Sequence, residues 1–414
     1  MRGERTVDVL IIGAGPAGLT AAARLAGAGT GTVEVLEREA HPGGIPRHCH
    51  HGGFGLRTGP QYARRLAREA AQAGALLRTS VTATGWAGPR TLDTTSPHGL
   101  ERITARAVVL ATGARERPRS ARLVAGSRPA GVFTTGELQQ TVHLHGRHPG
   151  TRAIVIGAEP VAYSAVRTLL GAGVEVAAMI TGLPRHQAAR RDAVDVRLRR
   201  RVPLYTGATV TELLGKGRAS GIVMRHTSGR ETVLACDTVV FTGDFIPEHE
   251  LARRGGVPLD PGTRGPAVDL AFRTAEPGVF AVGNLLHGAE PALAAAREGD
   301  LAATAVLRHL NGAPWPSEQL PVRTEGPLRW VAPQRITPGG PPPPDGRFLL
   351  RPDRFLVGQH LTVRQDGLTL HEQRLPRTFV PNRSLTVSAS WVDRADPRGG
   401  TVIFTTEQAE QRST

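Results

Sequence analysis

Apolar positions along the chain follow two alternating rhythms, one of buried strands and one of amphipathic helices. Val7 to Ile12 is an unbroken β-branched and aliphatic run, the kind buried on both faces of a parallel sheet, and it ends at Gly13-Ala-Gly-Pro-Ala-Gly18. Leu19 to Ala28 is alanine-rich and predicts a helix, and Val33 to Leu36 returns as a strand ending at Glu37. The spacing further predicts a helix over Gln61 to Ala73, a strand over Leu76 to Thr84, and a strand over Ile103 to Ala111 running into Thr112-Gly113. Near Thr151 the opening order repeats: strand Ala153 to Ile156, helix Pro160 to Leu170, strand Val174 to Ile180. An arginine-rich stretch, Arg185 to Arg201, reads as helical, and Gly221 to His226 and Thr238 to Thr242 read as strands. Val279 to Val282 is a short buried strand followed by Gly283-Asn284 and a helix over Ala292 to Leu310. Beyond Asn311 proline-rich sequence, including Pro341 to Pro344, leads into alternating segments such as Leu361 to Arg364 and Leu385 to Ser390.

This pattern predicts an α/β protein with two Rossmann-like dinucleotide-binding domains, the second inserted in the first, plus a small β-rich C-terminal module. The expected boundaries are 1–118 and 244–312 for the first domain, 119–243 for the insert, and 313–414 for a Pro-rich linker and the module. A length of 414 residues suits two or three folding units. No run approaches the ~18 to 20 apolar residues of a membrane span. The amino terminus enters a strand without the pattern of a secretory signal, so a cytoplasmic location is the default expectation.

Charge is the unusual quantity: 51 basic against 36 acidic residues leave a net +15. Lys216 is the only lysine, and the arginines are spread along the chain rather than gathered in a tail. Aromatics are 4% and no zinc-finger, RRM or KH pattern is present, so no nucleic-acid partner is expected, while a basic face for an acidic partner subunit stays open. Cys49 and Cys236 are the only cysteines, too far apart for a C-x-x-C redox pair.

Gly13-x-Gly15-x-x-Gly18 between strand and helix, with Glu37 nineteen residues past Gly18, is the full dinucleotide fingerprint. Gly13 permits the tight turn, Gly15 lets the backbone approach a pyrophosphate, and Gly18 packs helix on strand. Pro16 and Ala17 open the helix, whose N-terminal N–H groups and dipole face the phosphates. Glu37 can accept hydrogen bonds from both hydroxyls of an adenosine ribose. The fingerprint alone does not separate FAD from NAD.

Four segments together resemble the FAD-dependent pyridine nucleotide-disulfide oxidoreductase superfamily, flavoproteins with two dinucleotide-binding domains. They are Gly13 to Gly18, Glu37-Arg38 followed by Gly43-Gly44, Ala111-Thr112-Gly113, and Thr274 to Asn284. The resemblance implies bound FAD, with Gly283 and Asn284 at its ribityl chain and pyrophosphate. Asn284 stands where the superfamily has an acid. It also implies that the helix from about Pro291 aims its positive end at the isoalloxazine. Gly43-Gly-Ile-Pro-Arg-His-Cys-His-His51, Phe54 to Arg57, Thr58 to Tyr62 and Gly157 to Ser164 look like the FAD subunits of heteromeric bacterial dehydrogenases and oxidases, of the opine oxidase, hydrogen cyanide synthase and hydroxyproline dehydrogenase type. That branch implies hydride transfer from a small amine, imino acid or hydroxyl donor to FAD, often shared with a partner redox subunit, in a possible oligomer.

The second glycine motif is altered. Gly157-Ala-Glu159-Pro-Val-Ala162 carries Glu159 where the fingerprint has its second glycine. Two unit charges ~5 Å apart at an effective dielectric near 20 repel by roughly 3 kcal/mol, more than a hundredfold in affinity. NAD(P)H is therefore a doubtful second cofactor, although an arginine counter-ion would cancel the repulsion. Arg185, Arg190 and Arg191 lie beyond the second strand and could meet a 2′-phosphate; a solvated helix face paired with Asp192 and Asp195 is the competing reading.

His48, Cys49, His50 and His51 are the densest cluster of reactive side chains. His48, Cys49 and His50, with His287 beside Asn284, are the candidate catalytic residues, as proton acceptors near neutral pH or as a flavin-proximal thiol. A polar structural loop is the alternative. No metal site is expected, since one would need ligands on compatible faces and usually a second pair elsewhere. The reading is an FAD-dependent oxidoreductase acting without a disulfide step. Its alternatives are an NAD(P)H-dependent reductase passing electrons to a protein or quinone acceptor, and a non-catalytic FAD-binding scaffold subunit.

Overall fold

The computed structural model describes residues 3–337, 346–375 and 378–408; the Pro341 to Pro344 run lies outside them. Met1–Gly44, Gln61–Ala114 and Pro247–Thr414 form one compact unit, and Ile45–Pro60 with Arg115–Ile246 form another.

In the first unit the buried run expected over Val7 to Ile12 is the C-terminal part of strand Gly3–Ile12, which lies at the centre of a seven-stranded sheet. Its parallel neighbours are Val33–Leu36 on one side and Gly99–Leu110 on the other, with Leu76–Arg78 beyond the former and Val279–Ala281 beyond the latter. The register pairs Ile12 with both Leu36 and Leu110, and Leu110 with Ala281. Because these strands finish level, Gly13, Glu37, Ala111 and Gly283 all emerge at one sheet edge. Such an edge is where open parallel sheets bind ligands.

Leu76 to Thr84 is not one strand. Ser80, at φ +56°, breaks it, and Thr82–Gly88 instead pairs antiparallel with Thr91–Ser96 against the first half of Gly99–Leu110. Threonine-rich and glycine-spaced, that hairpin lacks the apolar alternation that signals a strand.

The helix Pro16–Gly27 packs on Ala292–Leu310 through small residues. A Cβ on Gly299 would lie 2.0 Å from the Ala17 carbonyl oxygen, so the backbones approach to a distance only glycine allows. The C-terminal residues add a five-stranded and a three-stranded sheet around Phe348, Trp391 and Phe404, all fully buried, with Leu270 in the same core. Trp391 stacks on Phe348 at 5.0 Å between ring centroids.

The second unit has its own parallel sheet, in the order Leu204–Tyr205, Glu175–Ile180, Arg152–Ile156, Thr238–Phe241, Val132–Thr134. A four-stranded sheet, Glu231–Ala235, Gly221–His226, Ala208–Leu214 and Ala125–Gly126, completes it. Helix Thr135–His143 starts at a capping box in which Thr134 and Glu137 satisfy each other's backbone N–H groups. The expected helix over Arg185 to Arg201 shrinks to Arg190–Val194 and a π turn at Asp195–Arg199, because the segment before it, with Gln187 and Ala188 buried, bonds to the loop at Ala158 instead of to itself. Among the described residues no helix is long and apolar enough to cross a membrane.

Candidate functional site

At the first sheet edge the glycine loop has the shape a dinucleotide requires. A Cβ on Gly13, at φ +109°, would sit 2.4 Å from the Ala111 carbonyl oxygen, and one on Gly18 would sit 2.0 Å from that of Gly13. Gly15 differs: no atom lies within 4 Å of where its Cβ would be, so the space above it is open. Pro16 occupies the first helical position, where its missing N–H costs nothing. No side chain caps this helix, and its free N–H groups face the same opening.

Glu37 closes the loop from below. Its two carboxylate oxygens accept from the N–H groups of Ala14 at 3.0 Å and Glu39 at 2.9 Å, which leaves lone pairs for hydroxyl donors. Arg38 is largely exposed, 4.0 Å from Glu248. The Gly43-Gly44 turn rests on the loop, with the Gly43 N–H donating to the Ala14 carbonyl at 2.8 Å and Gly44 against Gly15. Ala111 continues the sheet ladder, its N–H donating to the Ile12 carbonyl at 2.8 Å. The Thr112 hydroxyl donates to the Glu248 carbonyl at 2.8 Å, and the Glu248 N–H donates to the Gly113 carbonyl at 2.8 Å. These residues fit FAD: an open cradle at Gly15, an uncapped helix end and an anchored ribose acid.

Gly283, at φ +72°, presses on Ala17 and reaches the same edge. Asn284 is turned to its own loop: its amide donates to the Glu290 carbonyl at 3.1 Å and accepts from the Glu290 N–H at 2.8 Å. His287 is buried, with Nε2 2.8 Å from Glu298 Oε1, and the other Glu298 oxygen accepts from the Gly283 N–H at 2.9 Å. Burial alone pushes the His287 imidazole down, yet the carboxylates of Glu298 and Glu290 outweigh it and hold the ring above its ordinary value. No sequence motif marks Glu298; its position in the second turn of the expected helix is the available signal.

His48, Cys49 and His50 lie in the second unit, with His48 closing a short 3-10 turn over Ile45–His48. Burial, then the charges of Arg47, His143 and His50, pushes His48 down to about 4, so its imidazole is neutral at pH 7. Cys49 lies 3.4 Å from both the Ile45 carbonyl and Gln139 Oε1, and burial followed by the Glu116 carboxylate pushes its thiol up to about 12. At pH 8 that leaves roughly one molecule in ten thousand as thiolate. Iodoacetamide is therefore expected to leave Cys49 unmodified in the folded protein while labelling it fully in denaturant, as read by peptide mass spectrometry. Rapid labelling of the native protein would contradict the burial argument. His50 is exposed and stacks on His143 with ring centroids 4.1 Å apart.

The second glycine motif is filled by its own glutamate. Gly157 and Ala162 take their fingerprint places, Gly157 at φ +145° and Ala162 buried in helix Pro160–Gly171. Glu159 turns back into the loop: one carboxylate oxygen accepts from the Ala158 N–H at 2.9 Å, and the other from the Thr242 hydroxyl. A Cβ on Gly243 would lie 2.8 Å from Glu159 Oε1. Burial raises Glu159 despite these donors and the Arg122 charge. The Glu159 carboxylate is thus held inside the loop by Ala158 and Thr242. Over the same loop folds the segment after Thr181, where the Gln187 N–H donates to the Ala158 carbonyl at 2.9 Å. Arg185, Arg190 and Arg191 are exposed, and Asp192 pairs with Arg167.

Beside Glu159 stands a second buried acid that no sequence motif marks. Glu116 accepts from the N–H groups of Gly136 at 2.9 Å and Gly243 at 3.1 Å, and burial, joined by the Glu159 charge, raises it to about 7. Arg122 donates to the carbonyls of Thr242 at 3.0 Å and Gly243 at 2.8 Å and lies 5.5 Å from the Phe241 ring centroid.

The profile of the family described as pyridine nucleotide-disulphide oxidoreductase matches residues 7–299. The chain is 28% identical over 359 residues to the alpha subunit of sarcosine oxidase from Rhizobium meliloti (strain 1021), covering 80% of this chain and 33% of that protein. It is 28% identical over 340 residues to an opine oxidase subunit of Agrobacterium tumefaciens (strain Ach5), covering 73% of this chain and 66% of that one. It thus spans between a third and two thirds of the length of these relatives. Among solved structures, T. acidophilum thioredoxin reductase superposes with a TM-score of 0.63 at 24% identity, over 73% of this chain and 98% of that one, a likeness of fold.

Proposed function

This chain belongs to the pyridine nucleotide-disulphide oxidoreductase family and binds FAD, and from that premise we propose that it is a redox subunit that oxidises a small amine, imino acid or hydroxyl compound without NAD(P)H and passes the electrons to a partner subunit. The observation that carries this reading is Glu159, which stands where the fingerprint has its second glycine and whose buried side chain lies between Gly157 and Gly243. The likeness to subunits of sarcosine and opine oxidases supports a substituted amine as donor and a heteromeric assembly.

When bound, FAD supplies two-electron acceptance at its isoalloxazine. The chain's own residues do the rest. The loop Gly13 to Gly18 and the helix N-terminus behind it would neutralise the pyrophosphate, and Glu37 would accept from the ribose hydroxyls. Gly283 and the uncapped start of helix Ala292–Leu310 bring partial positive charge to the sheet edge. His48 stays a neutral, weakly basic imidazole at pH 7 and Cys49 a protonated thiol.

Anaerobic titration of the yellow protein tests the reading. NADH and NADPH are expected to leave the flavin band unbleached over minutes, while sarcosine, proline or an opine bleaches it, with or without the partner protein present. Bleaching by either nicotinamide within seconds would overturn the proposal and favour an NAD(P)H-dependent reductase.

A further inference from the structure

The C-terminal β module is joined to the loop at the first sheet edge by a closed chain of buried charges and rings. Asn284 grips the Glu290 backbone from both sides, at 3.1 and 2.8 Å. The Glu290 carboxylate takes the Arg351 guanidinium and the Ser384 hydroxyl, both from the module. Arg351 lies 5.1 Å from the ring centroid of Trp330, and the same indole carries His287, stacked at 5.8 Å with an 18° interplanar angle. His287 pairs with Glu298, which holds the Gly283 N–H. The side chains are almost wholly withdrawn from water: Arg351 7% exposed, Glu290 10%, His287 1% and Glu298 13%. His287 Nδ1 is buried with no hydrogen-bond partner among the described residues.

Such an arrangement is costly to build without a use. Buried ion pairs contribute little net stability compared with apolar packing of the same volume, and an unpartnered imidazole nitrogen adds to the cost. Here the pairs bring Arg351, from the module strand Arg347–Pro352, and the His287 ring, each matched by a buried carboxylate, to the loop that follows Gly283 at the dinucleotide edge. The groups that set the charge of His287 are Glu298 and Glu290, which favour its cation, and Arg351, which opposes it.

We propose that the C-terminal module is part of the flavin site and sets the flavin's electron affinity: Trp330 and the Arg351–Glu290 pair hold His287 against Glu298, so that the Glu298 carboxylate, which also takes the Gly283 N–H, stays matched by the ring and does not oppose the anionic reduced flavin. His287 and Arg351 are positioning residues here, and their role rests on the assignment of FAD to the first cradle. A low-dielectric setting strengthens the field of such buried groups.

The test uses FAD-loaded protein and its midpoint potential, measured by dye equilibration, together with the FAD dissociation constant. His287→Gln keeps a hydrogen bond to Glu298 and removes the titratable ring that can match its charge. It is expected to retain FAD within about threefold and to shift the two-electron equilibrium about tenfold toward the oxidised form, about 30 mV. The paired variant Glu290→Gln with Arg351→Met removes both ions at similar volume, so it leaves no unpaired buried charge, and it is expected to shift the potential in the same direction. Both variants holding FAD at the wild-type potential would overturn the proposal. A wild-type protein that takes up no FAD would overturn the cofactor assignment itself, and that outcome is distinct because there is then no potential to measure.

Discussion

Replacing Gly15 by glutamate is expected to give a folded protein that carries no flavin. Gly15 has φ −81° and ψ −177°, a conformation open to any residue, and nothing lies within 4 Å of its absent Cβ. The fold therefore has room for a side chain, and the dinucleotide does not. A carboxylate ~5 Å from the pyrophosphate adds roughly 3 kcal/mol of repulsion at an effective dielectric near 20, more than a hundredfold in affinity before any steric clash. The check is the flavin absorbance of the purified variant beside its circular dichroism and melting curve. A G15E protein with its full yellow complement would remove FAD from this cradle. Gly18→Ala provides the contrast: its Cβ would meet the Gly13 carbonyl oxygen at 2.0 Å, so it is expected to lose the fold along with the flavin.

The acid pair in the second unit makes stability depend on pH in an unusual direction. Glu116 is raised by burial from 4.5 to about 7. Between those values the folded protein holds a proton that the unfolded chain has released, so unfolding is accompanied by proton release and stability falls as pH rises through the window. A shift of that size corresponds to about 3 kcal/mol, with the loss complete above pH 7. Glu159, shifted the same way, adds to the slope. Denaturant unfolding at pH 5 and pH 8 is expected to show the wild-type protein losing several kcal/mol more than Glu116→Gln over that interval. At pH 5 the variant is expected to start from a lower stability, because an amide is a poorer partner for the N–H groups of both Gly136 and Gly243, but the slope is what the comparison reads. Equal slopes would mean that Glu116 is ionised and paired in the fold.

Much of the first cradle is legible in the chain because its parts are contiguous. A buried strand, six residues of glycine-rich turn and an alanine-rich helix encode their geometry within one short segment, and Glu37 follows at the end of the next strand. The repeat of that pattern at Arg152–Ile156 and Pro160–Gly171 is equally local. By contrast, Arg185 to Arg201 has helical composition but is claimed by tertiary contacts, since the Gln187 N–H satisfies the Ala158 carbonyl and Gln187 and Ala188 are buried. The hairpin Thr82–Ser96 carries no such local signal, because its stability comes from its sheet partner and not from its own alternation.

What the sequence by itself determined about this protein is the two-motif architecture, the β-rich end and the strand, glycine turn and helix of Gly13 to Gly18 with Glu37 behind them, since backbone freedom and hydrophobic period act over neighbouring residues. The tertiary structure alone decided what the charged side chains became. Glu159 turned inward to Thr242, Glu116 joined it from a distant strand, Cys49 was sealed as a thiol, and Arg351 reached Glu290 and Trp330 from the module. The physical reason is that burial and the sign of the nearest charge set the protonation and reach of an ionisable group, and both depend on residues far away in the chain.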